Sequence, residues 1–107
     1  MITIQDMIET MIISELSEAE KKYKPINSSK EGYAVLKEEI EELADDFHDL
    51  NSKLGVLWYN IKEKIPTQQH FTVEEMYNIS LDIIKEAIQV AAMCKRFQKD
   101  LGVEEIK

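Results

Sequence analysis

The stretch LKEEIEELADDFHDLNSKLGVL, residues 36–57, decides the fold class of this chain. Its apolar residues recur in alternating steps of four and three over three heptads: Leu36, Ile40, Leu43, Phe47, Leu50, Leu54 and Leu57. Such a stripe is typical of a helix that packs along its length against another helix. Gly55 predicts a kink or a stop, after which residues 56–65 form either the end of this helix or a short fourth helix.

One further helix is predicted before this one. It runs over residues 3–24 and begins with Thr3 and Asp6, which have the spacing of an N-terminal capping pair. The central helix begins at a second capping pair, Ser28 and Glu31.

A third long helix is predicted to begin at Thr72 and to stop at Gly102. Thr72 and Glu75 form a third capping pair, and the segment PTQQH, residues 66–70, is expected to be the loop before it. Residues 102–107 are expected to be a tail. The apolar stripe of this helix consists of Met76, Ile79, Ile83, Ala87, Val90, Cys94, Phe97 and Leu101. Because Cys94 belongs to this stripe, its thiol is predicted to be buried.

Length and composition indicate one helical domain. The chain has 107 residues, of which 44% are apolar and 32% charged, and this suits a single globular domain over residues 1–107. Only three glycines and two prolines interrupt it, which favours long helices over a β fold with many turns. We therefore predict an all-α antiparallel helical bundle of three long helices, with or without the short fourth.

Charge and cysteine content exclude several classes of protein. Thirteen basic and 21 acidic side chains give a net charge of −8, whereas a protein that binds a nucleic acid polymer needs a basic face. The N-terminus lacks the basic start of a signal peptide, and no apolar run is long enough to span a membrane. A single cysteine is typical of a reducing compartment. A cytoplasmic protein without a membrane partner is therefore predicted.

A ridge of glutamates lies beside the stripe of the central helix. At about 100° per residue, Glu39 and Glu42 lie about 60° and 120° to one side of that stripe. Glu86 and Gln89 lie at similar angles and on the same hand of the third helix, with Asp82 between them. Because a short loop makes neighbouring helices antiparallel, these two flanks are expected to meet at one edge of the core.

Carboxylates that meet in this way need a cation, because within a few ångströms they repel one another until one takes up a proton. Mg²⁺ binds oxygen ligands and bridges carboxylates to substrate phosphates. We therefore predict a site for Mg²⁺, or for Mn²⁺, built from Glu39, Glu42, Glu86, Gln89 and Asp82. The alternative is an ordinary solvated helix face, and the matching pair on the third helix favours the metal site.

Two short motifs carry a family resemblance. Glu38, Glu39 and Glu42 form EExxE, and a later helix carries Glu86-Ala87-Ile88-Gln89. In this order they resemble the EExxE and ExxD motifs of the MazG-like all-α nucleoside triphosphate pyrophosphohydrolase superfamily, in particular its short phage-type members. Glutamine stands where the family has aspartate. The likeness covers residues 27–101 and includes two flanking stretches, EGYAVL at 31–36 and IQVAAM at 88–93.

The resemblance implies an enzyme that cleaves a nucleoside triphosphate, with ribose or deoxyribose, to the monophosphate and pyrophosphate. It implies that Glu38, Glu39 and Glu42 are the catalytic residues. The implied Mg²⁺ ligands are Glu39 and Glu42 of the first motif, together with Glu86 and Gln89 of the second. Gln89 departs from the family, because an amide oxygen ligates Mg²⁺ without bringing negative charge. Asp82, one turn before Glu86, is predicted to compensate.

Partners are predicted for the substrate and for the chain itself. Lys53 and Arg96 lie on the acidic flanks of their helices and are candidates to bind phosphate, and the loop at Asn27 is expected to lie near the base. Long apolar stripes on so short a chain predict a homodimer or homotetramer, which the resemblance also implies. The alternative function is a non-catalytic helical interaction module that keeps the fold, with Gln89 marking lost activity.

Overall fold

The computed structural model describes the backbone of residues 1–106 and the side chains of residues 1–102. It contains three α-helices: α1 (Ile4–Lys22), α2 (Ser29–Lys62) and α3 (Pro66–Ile106). The prediction of an all-helical fold is confirmed, since no strand occurs within the described backbone. None of the helices in that part of the chain combines the length and the apolarity that a membrane crossing requires.

The predicted caps at the starts of α1 and α2 are present. The Thr3 hydroxyl accepts a hydrogen bond from the Asp6 amide, and the Asp6 carboxylate accepts one from the Thr3 amide, both at 3.0 Å. The Ser28 hydroxyl accepts from the Glu31 amide at 3.1 Å, whereas the Glu31 carboxylate reaches the Asn27 amide at 3.4 Å. Each cap satisfies amides that the first helical turn leaves unpaired, and this fixes where the helix begins.

The turn between α2 and α3 is shorter than predicted. α2 continues through Gly55 to Lys62 as one helix, so the separate short fourth helix is not formed. Lys64 has a positive φ of 56°, and the Ile65 amide donates to the Asn60 carbonyl at 3.0 Å. This hydrogen bond and a left-handed residue are the features of a Schellman helix end, which reverses the chain within three residues.

The predicted start of α3 is wrong. α3 begins at Pro66, and the segment 66–70 that was expected to be a loop is its first turn. Proline suits this position because its fixed φ is helical and its missing N–H has no partner to lose. Thr72 is buried inside the helix rather than capping it, and its hydroxyl accepts from the Asn60 side-chain amide at 3.1 Å. Asn60 thereby ties the end of α2 to the start of α3.

α2 runs antiparallel to α3 along its whole length. Gly32, near the start of α2, lies against the ring of Phe97 near the end of α3. Closer to the turn, the Lys53 ammonium lies 2.7 Å from a Glu75 carboxylate oxygen. The antiparallel arrangement predicted for these two helices is therefore confirmed.

α1 runs parallel to α3 on the other side of it and covers only its C-terminal half. The Lys99 ammonium binds the Glu20 carboxylate at 2.6 Å, and three turns earlier Ile8 and Ile84 line the same depression. Within the described residues the backbones of α1 and α2 do not contact each other. α3 therefore lies in the middle of a flat layer, and the molecule measures 59 × 37 × 22 Å.

The interior of this layer is small. Ala19, Ala92 and Met93 form a buried cluster where α1 meets α3, and Val35 and Leu36 of α2 pack against it. No large side chain in the described part of the chain is fully buried. Cys94 was predicted to be buried in the stripe of α3, but it is exposed, because the buried side of α3 at this point carries Ala92, Met93 and Arg96 instead.

The break at Gly102 is confirmed. Its φ of 70° and ψ of 173° interrupt the helix, a conformation that glycine adopts without the strain of a side chain. Residues 102–107 were predicted to be a tail. After Gly102 the backbone is helical again up to Ile106, and Lys107 lies outside the described residues.

Candidate functional site

Three glutamates from two helices converge beside the core. Glu39 and Glu42 lie one turn apart on α2, and Glu86 faces them from the antiparallel α3. One carboxylate oxygen of each lies within 4.8 Å of the other two. The convergence follows from the hand of the two helices, since both flanks turn to the same side of an antiparallel pair.

The environment of Glu39 favours its protonated form. Burial raises the pKa of its carboxyl above the usual value, and the negative charges of Glu42, Glu38 and Glu15 raise it further. Its Oε2 atom is removed from solvent and has no hydrogen-bond partner among the described residues. The Glu15 contribution comes from α1, so the acidic cluster extends across all three helices.

The environment of Glu86 also favours the protonated form of its carboxyl. Burial raises the pKa of its carboxyl most, and the charge of Glu42, a hydrogen bond with Glu42 and the charges of Glu39 and Asp46 raise it further. Its Oε2 atom is also removed from solvent without a partner in the described part of the chain. A buried oxygen without a donor destabilises the folded chain, and a bound cation is one way to satisfy it.

The donor set fits a hard divalent cation. Three carboxylates within 4.8 Å of one another offer oxygen ligands only, which Mg²⁺ and Mn²⁺ accept, and no histidine or thiol is among them. The two oxygens without partners would gain an electrostatic partner from such an ion. Glu39, Glu42 and Glu86 are therefore the residues that would hold it.

A cleft of about 360 Å³ opens beside Glu39 and Glu42, between α1 and α2, with α3 as its floor, and Glu86 is not part of its lining. This volume lies at the lower end of the range for small-molecule sites, about 300–1,000 Å³. The polar lining on the side of α2 includes all three acids of the EExxE motif. The complete lining is Glu15, Glu18, Ala19, Lys22, Tyr23, Glu38, Glu39, Glu42, Gln89 and Met93.

The structure brings several predicted site residues together and leaves others apart. Gln89 lies on the floor of the cleft, and Glu38 lies on its rim. Asp82 is exposed on α3 and is not one of the carboxylates in the cluster. Asn27 is exposed in the loop between α1 and α2 and does not line the cleft.

Both predicted phosphate-binding cations are engaged elsewhere. Lys53 is paired with Glu75 across α2 and α3. Arg96 is 5% exposed and donates from Nη2 to the Lys24 carbonyl at 2.5 Å. Its Nε lies 3.6 Å from Asp100 on the same helix. The hydrogen bond to the Lys24 carbonyl, with that from the Ile26 amide to Asp100, ties the loop after α1 to α3. Each of these two cations has a structural partner away from the cleft.

α1 supplies cleft residues that the sequence had not indicated. Lys22 is the cation in the cleft lining, and Tyr23, which is 63% exposed, also lines the cleft. The Arg96 guanidinium lies 5.6 Å from the centre of the Tyr23 ring. Glu15, Glu18 and Lys22 recur at helical spacing beside the stripe of α1, which is the pattern that would have placed them on one flank.

The raised pKa values of Glu39 and Glu86 predict how metal-free stability depends on pH. Above pH 4.5, the ordinary value, the folded chain binds more protons than the unfolded chain, so its stability falls as pH rises through the raised values. Glu39→Gln and Glu86→Gln should therefore each raise the melting temperature at neutral pH in the presence of a chelator. The gain should vanish below pH 4.5. Thermal unfolding followed by circular dichroism would contradict this if both variants melted below the parent at neutral pH.

No protein-family model matches the chain, and no curated protein and no solved structure shows significant similarity to it.

Proposed function

We propose that this chain is a divalent-cation-dependent nucleotide pyrophosphohydrolase that cleaves a nucleoside triphosphate to its monophosphate and pyrophosphate. The observation that carries the proposal is the convergence of Glu39, Glu42 and Glu86. Two of their oxygens are buried without a hydrogen-bond partner among the described residues, and Glu39 and Glu42 line an open cleft. The likeness of the EExxE and ExxQ motifs to the MazG-like superfamily supports the same conclusion. The ion would be Mg²⁺, with Mn²⁺ as a substitute.

The chemistry of the bound ion would be to polarise phosphate oxygens and offset the charge that develops on them. The chain's own residues do the remaining work. Glu39 and Glu42, which line the cleft, would hold the ion together with Glu86, and Glu38 on the rim adds negative charge beside Glu39. Gln89 offers an amide oxygen or amide donors on the floor.

In this proposal, residues of α1 orient the substrate. Lys22 supplies a positive charge for the phosphates, which the acidic wall alone would repel. The exposed ring of Tyr23, beside Lys22, offers a flat surface on which a base can stack. The cleft then places the ion at the carboxylate wall and the nucleoside near the end of α1.

Lys22→Gln should raise the KM for the nucleotide about tenfold, because a hydrogen bond to a charged group contributes about 1.5 kcal/mol or more. Lys53→Gln is the matched control. It removes the same charge, but Lys53 is paired with Glu75, so the KM should stay within about twofold while stability falls slightly. Steady-state kinetics of both variants check this, and a larger KM change in Lys53→Gln would refute the assignment.

A screen of pyrophosphate release over canonical and modified ribo- and deoxyribonucleoside triphosphates, with Mg²⁺ and with Mn²⁺, tests the proposal. The expected result is turnover of at least one nucleotide that stops when the ion is chelated. The alternative, a non-catalytic helical module, is favoured by Gln89, which brings no charge to the cleft floor. Absence of turnover on every nucleotide, together with absence of metal binding, would overturn the proposed enzymatic function.

A further inference from the structure

Arg96 is buried next to the cleft, and the proposed mechanism leaves it without a role. It is 5% exposed and does not line the cleft, yet two of the residues that it contacts do. Its guanidinium carbon lies 5.6 Å from the centre of the Tyr23 ring, and its Nη1 atom lies 4.0 Å from the Met93 sulfur. A charge is costly to bury unless its donors bind partners, so these partners indicate what Arg96 holds in place.

The same guanidinium fixes the chain that leaves α1. Its Nη2 atom donates to the Lys24 carbonyl at 2.5 Å. Asp100, which lies 3.6 Å from the Nε atom of Arg96, accepts a hydrogen bond from the Ile26 amide at 2.9 Å. Pro25, between these two attachment points, has a fixed φ. The first residues after α1 are therefore attached to α3 at two successive points.

The orientation of the Tyr23 ring depends on this attachment. α1 ends at Lys22, and Tyr23 has an extended backbone with a φ of −126° and a ψ of 151°, so the helix does not orient its side chain. The Arg96 guanidinium lies over the ring in a cation–π arrangement, and Tyr23 is nevertheless 63% exposed. A ring that is held on one face and open elsewhere loses little conformational freedom when a base stacks on it.

We propose that Arg96 is a positioning residue, which holds the Tyr23 ring where the nucleoside binds without itself contacting the nucleotide. The inference rests on the proposed function and adds to it a residue outside the cleft lining. Arginine suits this role because its planar fork binds a carbonyl and a carboxylate from separate nitrogens while its face lies against a ring. Lysine carries the same charge at a single point and cannot keep these three contacts at once.

Arg96→Lys should therefore raise the KM for the nucleotide about fivefold to tenfold and change kcat less than about twofold. Because Arg96 acts on the nucleoside end of the cleft, its loss weakens binding of the ground state and of the transition state alike. Lys99→Gln is the matched control. It breaks another ion pair between α1 and α3, in which Lys99 binds Glu20 at 2.6 Å, but that pair is exposed, so the KM should stay within about twofold.

A double-mutant cycle separates positioning of the ring from a general loss of structure. Tyr23→Ala removes the ring on which Arg96 is proposed to act. If Arg96 acts through that ring, adding Arg96→Lys to Tyr23→Ala should raise the KM less than about twofold further. An equal rise in both backgrounds, or an unchanged KM in Arg96→Lys alone, overturns the inference. Asp100→Asn takes the place of Arg96→Lys in the cycle if that variant does not fold, since it weakens the pair with Arg96 but keeps an oxygen for the Ile26 amide.

Hydrogen exchange at the Ile26 amide adds a readout that requires no nucleotide. This amide is bound to Asp100, and Ile26 is 2% exposed, so the amide exchanges only when the segment leaves α3. Exchange followed by NMR should be about tenfold faster in Arg96→Lys and within about twofold of the parent in Lys99→Gln. A parent that turns over no nucleotide overturns the proposed function and this inference with it. An active parent whose Ile26 amide exchanges at the same rate as in Arg96→Lys overturns the inference alone.

Discussion

Replacing Glu86 by Gln is expected to lower the rate of pyrophosphate release about 100-fold or more, while the fold is retained. The substitution keeps the shape of the side chain and removes one of the three charges that face the proposed ion. Glu86 also carries one of the two buried oxygens that have no hydrogen-bond partner among the described residues, and the amide oxygen that replaces it brings no negative charge to the ion. Glu39→Ala and Glu42→Ala should abolish turnover for the same reason.

The control for this result is Glu41→Gln, which removes the same charge from the same ridge. Glu41 is exposed, and its carboxylate lies 2.6 Å from the Lys37 ammonium on the outer side of α2. Its loss should change the rate less than about twofold, since an exposed pair contributes little. Equal rates for Glu86→Gln and the parent would show that the carboxylate cluster takes no part in turnover.

Gly32→Ala is expected to be the most destabilising small substitution in the chain. A methyl group at this position would overlap the Phe97 ring of α3. Phe97 is partly buried, so its ring has little room to move. Overpacking of this kind costs about 1–3 kcal/mol, which corresponds to a fall in melting temperature of roughly 4–8 °C per kcal/mol for a small domain.

Gly55→Ala is the matched control, because Gly55 also lies within α2 but has no neighbour within 4 Å in the described structure. It should stabilise the helix by about 0.5–1 kcal/mol, the ordinary advantage of alanine over glycine. Phe97→Leu in the Gly32→Ala background should recover part of the loss, since the smaller side chain makes room for the methyl group. Thermal melts that show Gly32→Ala as stable as the parent would contradict the close approach of the two helices.

The starts of α1 and α2 could be predicted because their signals are local. Thr3 with Asp6, and Ser28 with Glu31, act within one helical turn, so their spacing alone indicates a cap. The meeting of Glu39 and Glu42 with Glu86 followed from helix geometry and from the antiparallel pairing of two helices joined by a short turn.

The start of α3 could not be predicted, because the same local signal at Thr72 is overridden by tertiary contacts. The Asn60 side chain uses the Thr72 hydroxyl as an acceptor, and Pro66 begins the helix instead. Lys64 takes the positive φ at which a glycine would have marked the end of α2. Without that marker, the turn was expected later in the chain.

The cations of the site depend on where α1 lies, which helix periodicity does not determine. The position of Arg96 on the flank of α3 predicts a substrate ligand. In the structure its guanidinium instead donates a hydrogen bond to the carbonyl of Lys24, in the loop after α1. Lys22 reaches the cleft only because α1 packs parallel to α3. The choice between these two cations therefore requires the tertiary arrangement.

Titration calorimetry with Mg²⁺ and with Mn²⁺, on the parent chain and on Glu86→Gln, tests the central claim most directly. If Glu39, Glu42 and Glu86 form a divalent-cation site, the parent should bind either ion, and Glu86→Gln should bind it at least tenfold more weakly. Glu41→Gln should bind as the parent does. A parent that binds neither ion, or a Glu86→Gln variant that binds as tightly as the parent, would contradict the claim.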